Sequence, residues 1–94
     1  MAIKIIIKRT VSEDKVKYLT PLLKQLRALA NNQSGYISGE TLKRIDNPSD
    51  YLVISTWQSV EDWEKWFSSN DRIGVQNKID IILGKKTEYE IYAY

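Results

Sequence analysis

The sequence predicts an α+β domain: a four-stranded antiparallel sheet with helices on one face, in the order β-α-β-β-α-α-β. Three observations lead there. Apolar residues recur at period two in short runs near both ends and in the middle. Between those runs they recur at intervals of three and four, the helical spacing. The two middle runs are separated only by a short turn-forming cluster, which leaves no room for a crossover and makes them an antiparallel hairpin.

The first run, "AIKIIIKRTV", places Ile3, Ile5 and Ile7 on one face and is rich in β-branched residues, so it reads as the first strand. Ile6 makes its other face partly apolar. From Ser12 to about Asn32 the residues Val16, Leu19, Leu22, Leu23, Leu26, Leu29 and Ala30 draw one stripe on a helix. Ser12 is placed to cap it, and Pro21 marks either a kink or a second start with Thr20 as cap. "NNQSG" is a loop punctuated by Gly35.

"YISGETLKRI" and "YLVISTW" are the second and third strands, joined across Asn47, Pro48, Ser49 and Asp50 by a loop of about five residues. Ser59, followed three residues later by Asp62, is a variant capping box ahead of Val60, Trp63, Trp66 and Phe67, giving a helix from about Ser59 to Ser68. Asn70 or Asp71 is expected to cap a third helix through Ile73, Gln76, Ile79, Ile82 and Leu83, ended by Gly84. "KTEYEIYAY" alternates again, with Thr87, Tyr89, Ile91 and Ala93 opposite Glu88, Glu90, Tyr92 and Tyr94, and is the fourth strand.

At 94 residues the chain is expected to be a single domain, 1–94, and a domain this small commonly gains stability by association. The third strand is apolar on both faces and the first nearly so, which a sheet with one solvated face does not require. A second copy covering the helix-free face is therefore expected, giving a homodimer. No apolar run approaches the length of a membrane span, and "MAIKIIIKRT" lacks the features of a signal peptide, so no membrane partner and a cytoplasmic location are expected.

The composition narrows the chemistry. With no histidine and no cysteine, the chain offers no thiol nucleophile, no Ser-His relay and no ordinary zinc site. Its single methionine is the initiator, so of the usual haem ligands only tyrosine remains. Neither a metal nor another cofactor is expected. The net charge is +2, with the two signs interspersed along the chain, which is no footprint for nucleic acid. The β-α-β-β-α-β order of RNA-recognition domains is similar, but their Lys/Arg-Gly-aromatic motif does not occur.

"GYISGETLKRIDNPSDYLVISTWQSVEDWEKWFSS" resembles the antibiotic biosynthesis monooxygenase family in three features: Gly-aromatic at the second strand, a Pro-containing hairpin, and a strand ending in Trp-polar-Ser. The resemblance covers nearly the whole chain and implies a ferredoxin-like sheet assembled as a dimeric α+β barrel. The family's haem-degrading branch uses an Asn on the first strand, a Trp on the second helix and an axial His ten residues later. Those positions resemble Lys8, Trp66 and Gln76 here. An amide is a poor iron ligand and a lysine lacks an Asn's donor and acceptor pair, so haem degradation by that route is not expected.

The cofactor-free quinol-type oxygenases of the family hold a planar phenolic substrate against a Trp at the end of the third strand, a position that Trp57 resembles. The Asn they carry four residues earlier is Val53 here. The resemblance therefore implies a monooxygenase-like protein that acts on or binds a small aromatic or quinol-type molecule. A non-catalytic binding or regulatory module on the same scaffold is the alternative.

Cofactor-free oxygenation requires an electron-rich anion, a site that excludes water, and little else. Trp57, Trp66 and Tyr36 are the candidate walls for a planar ring, and Lys8, Arg9 or Arg72 the candidate partners for a phenolate. Gln76 joins them as the residue at the axial-ligand position. Trp63, on the same stripe as Val60 and Phe67, reads as core. Glu61, Asp62 and Glu64 sit where a helix start favours negative charge, and read as helix-stabilising.

Overall fold

The computed structural model describes residues 1–94. The elements are β1 (Ile3–Thr10), a 3-10 turn (Glu13–Lys15), α1 (Val16–Asn31), β2 (Tyr36–Lys43), β3 (Asp50–Trp57), α2 (Val60–Phe67), α3 (Asn70–Leu83) and β4 (Glu88–Ala93). The strands form one antiparallel sheet in the order β2-β3-β1-β4, so β1 and β3 are central and each helical connection carries the chain past a neighbouring strand. This is the ferredoxin-like α+β arrangement that the alternation of periods predicts.

Register decides what faces the helices. Ile3, Ile5, Ile7 and Arg9 on β1 stand opposite Trp57, Ser55, Val53 and Tyr51 on β3, and Ile7 stands opposite Tyr89 on β4. Directly paired residues share a face, so these side chains all point to the helix side. Lys4, Ile6, Lys8, Leu52, Ile54 and Tyr92 point to the other face, which carries no helix.

The core divides into two clusters. One joins Ile3, Ile5, Ile7, Ala30, Trp57, Trp63 and Trp66 between the sheet, the end of α1 and α2. The other joins Val11, Leu19, Val75 and Ile79, where α1 packs on α3.

The helix boundaries differ from expectation in instructive ways. Ser12 precedes only the 3-10 turn, and its side chain caps nothing. α1 then runs unbroken from Val16 with Pro21 in its interior. Pro21 has no N–H to give, and Thr20 beside it donates its hydroxyl to the Val16 carbonyl at 2.9 Å. The cap of α3 is Ser69, not Asn70 or Asp71: its Oγ accepts from the Arg72 N–H at 3.2 Å. A Ser, one residue earlier than the expected amide or acid, fits the same capping geometry. Ser59 caps α2 as expected, accepting from the Asp62 N–H at 3.2 Å. Gly84 ends α3 in the left-handed conformation at φ 75°.

Candidate functional site

Between the helix face of the sheet and α1 lies a cavity of about 230 Å³. Its floor is Ile7 and Arg9 on β1 with Tyr51, Val53, Ser55 and Trp57 on β3. Trp63 and Trp66 close it from α2, and Leu23, Leu26 and Ala30 roof it from α1. The rim is formed by Thr20, Lys24 and Arg27 on α1 and by Gly39 and Thr41 on β2, and Arg27 reaches across it to donate to Thr41 Oγ1 at 2.7 Å. The cavity explains an oddity of α1. Leu23 and Leu26 lie on the apolar stripe, yet both are only half-buried, because they face empty space.

The aromatic wall is continuous. Tyr36 meets Trp57 edge-on with ring centroids 5.3 Å apart, and Trp57 meets Trp63 edge-on at 5.8 Å. Trp63 continues to Phe67 at 5.5 Å and to Tyr89 at 5.9 Å. Edge-to-face contacts of this kind contribute about 0.5–1.5 kcal/mol each beyond burial, so the wall holds its shape without a ligand. The indole N–H of Trp57 donates to Ser55 Oγ at 3.2 Å, which satisfies the one polar atom of that buried ring. A Cβ at Gly39 would meet the Tyr36 hydroxyl, so a larger residue there has to displace the end of that side chain. Burial of Tyr36 raises its pKa, with Arg27 opposing, so the phenol stays a donor.

Arg9 is the buried cation of the site. It is 6% exposed, no carboxylate forms an ion pair with it, and its Nε has no hydrogen-bond partner. Nη2 makes one long bond, 3.4 Å, to Gln76 Oε1. Burial lowers the guanidinium's pKa, while Tyr89 and Asp80 nearby oppose that shift and Arg72 adds to it. Gln76 is fixed in turn by donating from Nε2 to Asp80 Oδ1 at 2.8 Å and to Thr87 Oγ1 at 2.9 Å. An unpaired buried charge is expensive, and its presence at the wall of an apolar cavity is unusual.

The expected site residues thus separate into two groups. Trp57, Trp66, Tyr36 and Arg9 converge on the cavity. Gln76 stands behind Arg9 and touches the site only through it. Arg72 is elsewhere: its guanidinium lies over the rings of Phe67 and Tyr89, at 4.2 and 5.2 Å, and donates to the Phe67 carbonyl at 2.9 Å and to the Tyr89 hydroxyl. It clamps α2, α3 and β4 together. Lys8 points to the helix-free face and pairs with Glu90 at 3.3 Å. Trp63, read as core, belongs both to the packed cluster and to the cavity wall. Ser55, Thr41 and Tyr51 were missed as lining residues, although strand alternation with Trp57 places Ser55 and Tyr51 on its face. The same alternation, Ile3, Ile5, Ile7 and then position nine, carries the signal that Arg9 and not Lys8 points inward.

The chain holds no group of three or more His, Cys, Asp or Glu side chains suited to a metal ion. No helix is long and apolar enough to cross a membrane.

The sequence profile of the family described as "Antibiotic biosynthesis monooxygenase" matches residues 2–78. No curated protein matches the chain by sequence. Among solved structures, a conserved protein from Methanosarcina mazei Go1 superposes with a TM-score of 0.89 at 23% identity, over 98% of this chain and 91% of the other. SnoaB, a cofactor-independent oxygenase from Streptomyces nogalater, in a mutant form, gives a TM-score of 0.86 at 12% identity, over 99% and 92%. Rv0793 from Mycobacterium tuberculosis also gives 0.86, at 13% identity, over 100% and 95%. At these identities the structures share the fold.

Proposed function

The chain belongs to the antibiotic biosynthesis monooxygenase family, and we propose that it is a cofactor-independent oxygenase of a small, planar phenolic or quinol-type molecule held in the cavity beneath α1. One observation carries this reading: an apolar, aromatic-walled cavity of about 230 Å³ has a buried, unpaired guanidinium in its wall. A ring stacked on Trp57, Trp63 and Trp66 loses its water, and the positive charge of Arg9 favours its phenolate over its phenol. Dehydration and ionisation are the two conditions under which such a ring passes an electron to dioxygen. The resulting pair recombines as a carbon-bound hydroperoxide that loses water. A ring CH₂ and O₂ thus become C=O and H₂O, and the substrate supplies every electron.

The name of SnoaB, a cofactor-independent oxygenase with this fold, supports the reaction class. The sheet's helix-free face, with Leu52, Ile54, Leu42 and Tyr92, supports a second copy of the chain as its cover.

Oxygen uptake in the presence of hydroxylated anthrones and naphthols is the test. A substrate-dependent rate that Trp66→Phe lowers at least about tenfold supports the reading. No uptake with any phenol, together with unchanged ligand affinity in that variant, removes it.

Val53 favours a second reading. It lines the cavity at the position where the family's oxygenases carry an amide, so one polar handle on the substrate is gone. In this reading the cavity binds the ring without turnover, and detection of an oxidised product eliminates it.

A further inference from the structure

The cavity wall is built of hydrogen-bond donors and holds no base. Its titratable residues are Arg9, Lys24, Arg27, Tyr36 and Tyr51, and no Asp, Glu or His side chain lines it. Guanidinium and ammonium groups are cationic at neutral pH and phenols keep their protons, so none of these types accepts one there. Asp80 lies behind Gln76, whose amide donates to it at 2.8 Å, and an amide is no proton relay. Ser55 adds a further donor. It is 6% exposed, its oxygen already accepts from the Trp57 indole at 3.2 Å, and an indole N–H accepts nothing, so the hydroxyl proton is directed elsewhere.

The charges beneath the cavity do not balance. Facing Arg9 are Asp80 and Arg72 from α3, Tyr89 from β4 and Tyr51 from β3, with Lys24 and Arg27 of α1 at the rim. Two guanidinium cations, Arg9 and Arg72, thus share one carboxylate, Asp80, which leaves one positive charge over. Burial keeps the Tyr89 phenol protonated, so it does not supply the missing anion. Arg72 is satisfied by the Phe67 carbonyl and the Tyr89 hydroxyl. The surplus therefore rests on Arg9, whose Nε meets no acceptor.

We propose that the cavity takes its ligand as a preformed monoanion, an enol or phenol acidified by a conjugated ring carbonyl, whose anionic oxygen completes Arg9. This rests on the reading of the cavity as a ring-binding site and narrows the substrate class of that site. Ionisation is finished before entry. The O–H bond breaks in water, its electron pair stays on the oxygen, the proton goes to solvent, and no side chain of the wall receives it. Selectivity then follows the acidity of the ligand as well as its shape, because a neutral ring of the same outline leaves the guanidinium unpaired.

Three probes test this: 2-hydroxy-1,4-naphthoquinone, which is ionised at neutral pH, its methyl ether, which cannot ionise, and 1-naphthol, an un-ionised phenol. In isothermal titration calorimetry at pH 7 the hydroxyquinone is expected to bind at least about tenfold more tightly than either neutral probe. By linkage, its own pKa on the protein is expected to fall by at least about one unit, read from the visible absorption of the anion during a pH titration. Arg9→Met is expected to bring the hydroxyquinone-to-ether ratio to about one; should that variant not fold, the wild-type ratio and the shift in the probe's pKa decide alone. The proposal is overturned, with the cavity reading intact, if hydroxyquinone and ether bind alike or if the ratio survives in Arg9→Met. The same holds if bound 1-naphthol shows the naphtholate spectrum at pH 7, since the cavity would then be taking the proton. If none of the three binds, the cavity reading falls and the proposal falls with it.

Discussion

Arg9 shows how one position on a strand can reverse the meaning of a residue. Beside Lys8 in sequence it looks like half of a charged strand end that keeps a sheet edge soluble. The pleat separates them, sending Lys8 to the helix-free face and Arg9 into the cavity wall, where it is 6% exposed. Methionine matches the length of the arginine stem without the charge, so Arg9→Met removes an uncompensated desolvation. We expect the variant to gain about 1 kcal/mol of stability in guanidinium denaturation while losing affinity for anionic aromatic ligands at least about tenfold. A variant that is less stable and binds as well as wild type would mean that Arg9 serves the fold alone. Trp63 makes the complementary point. Its helical spacing with Val60 and Phe67 correctly reads as core, but one indole is large enough to be packed on one side and line a cavity on the other.

At the scale of elements, β4 meets the helices through Tyr89, whose ring packs on Trp63 and Phe67 and whose hydroxyl accepts from Arg72. Ile91 is 51% exposed although it faces the helix side, whereas Tyr89 is half-buried with its hydroxyl against the Arg72 guanidinium. Burial raises the Tyr89 pKa above its ordinary value of 10.0, and the charges of Arg72 and Arg9 oppose the shift without cancelling it. The folded chain therefore keeps this proton to higher pH than the unfolded chain does. The stability tied to it is complete below about pH 10 and declines as pH rises further. Tyr36, raised in the same direction, adds to that slope. Tyr89→Phe is expected to cost about 1 kcal/mol at pH 7, because Arg72 loses an acceptor, and to flatten the decline above pH 10. Urea unfolding at pH 7 and across pH 9.5–11 measures both. The element order and the two middle strands were legible from spacing and turn residues alone. The fate of Pro21 was not, because nothing local chooses between a helix that starts at it and one that runs through it. Packing of Leu19 against Val75 and Ile79 beneath α1 makes that choice.

At the scale of the molecule, the cavity and the helix-free face lie on opposite sides of β1 and β3, so the same two strands serve both. Ile6, Leu52 and Ile54 are half-buried on the open face, and Leu42 and Tyr92 remain exposed there. We expect sedimentation at micromolar concentration to give the mass of two chains, and Ile54→Arg, which sets a cation in the middle of that face, to give one. A wild-type monomer would leave the face without a partner. Sequence alternation anticipated this surface, because apolar residues on both faces of a strand are visible one strand at a time. The linked rings of Tyr36, Trp57 and Trp63 have a consequence outside binding and stability. Indoles 5.8 Å apart and tilted by 68° are close enough to share their electronic excitation, so the pair is expected to give a signed doublet in the ultraviolet circular dichroism of the folded chain. A ring seated on that pair would change the doublet directly, which would give the protein its own unlabelled optical gauge of whether the cavity is full.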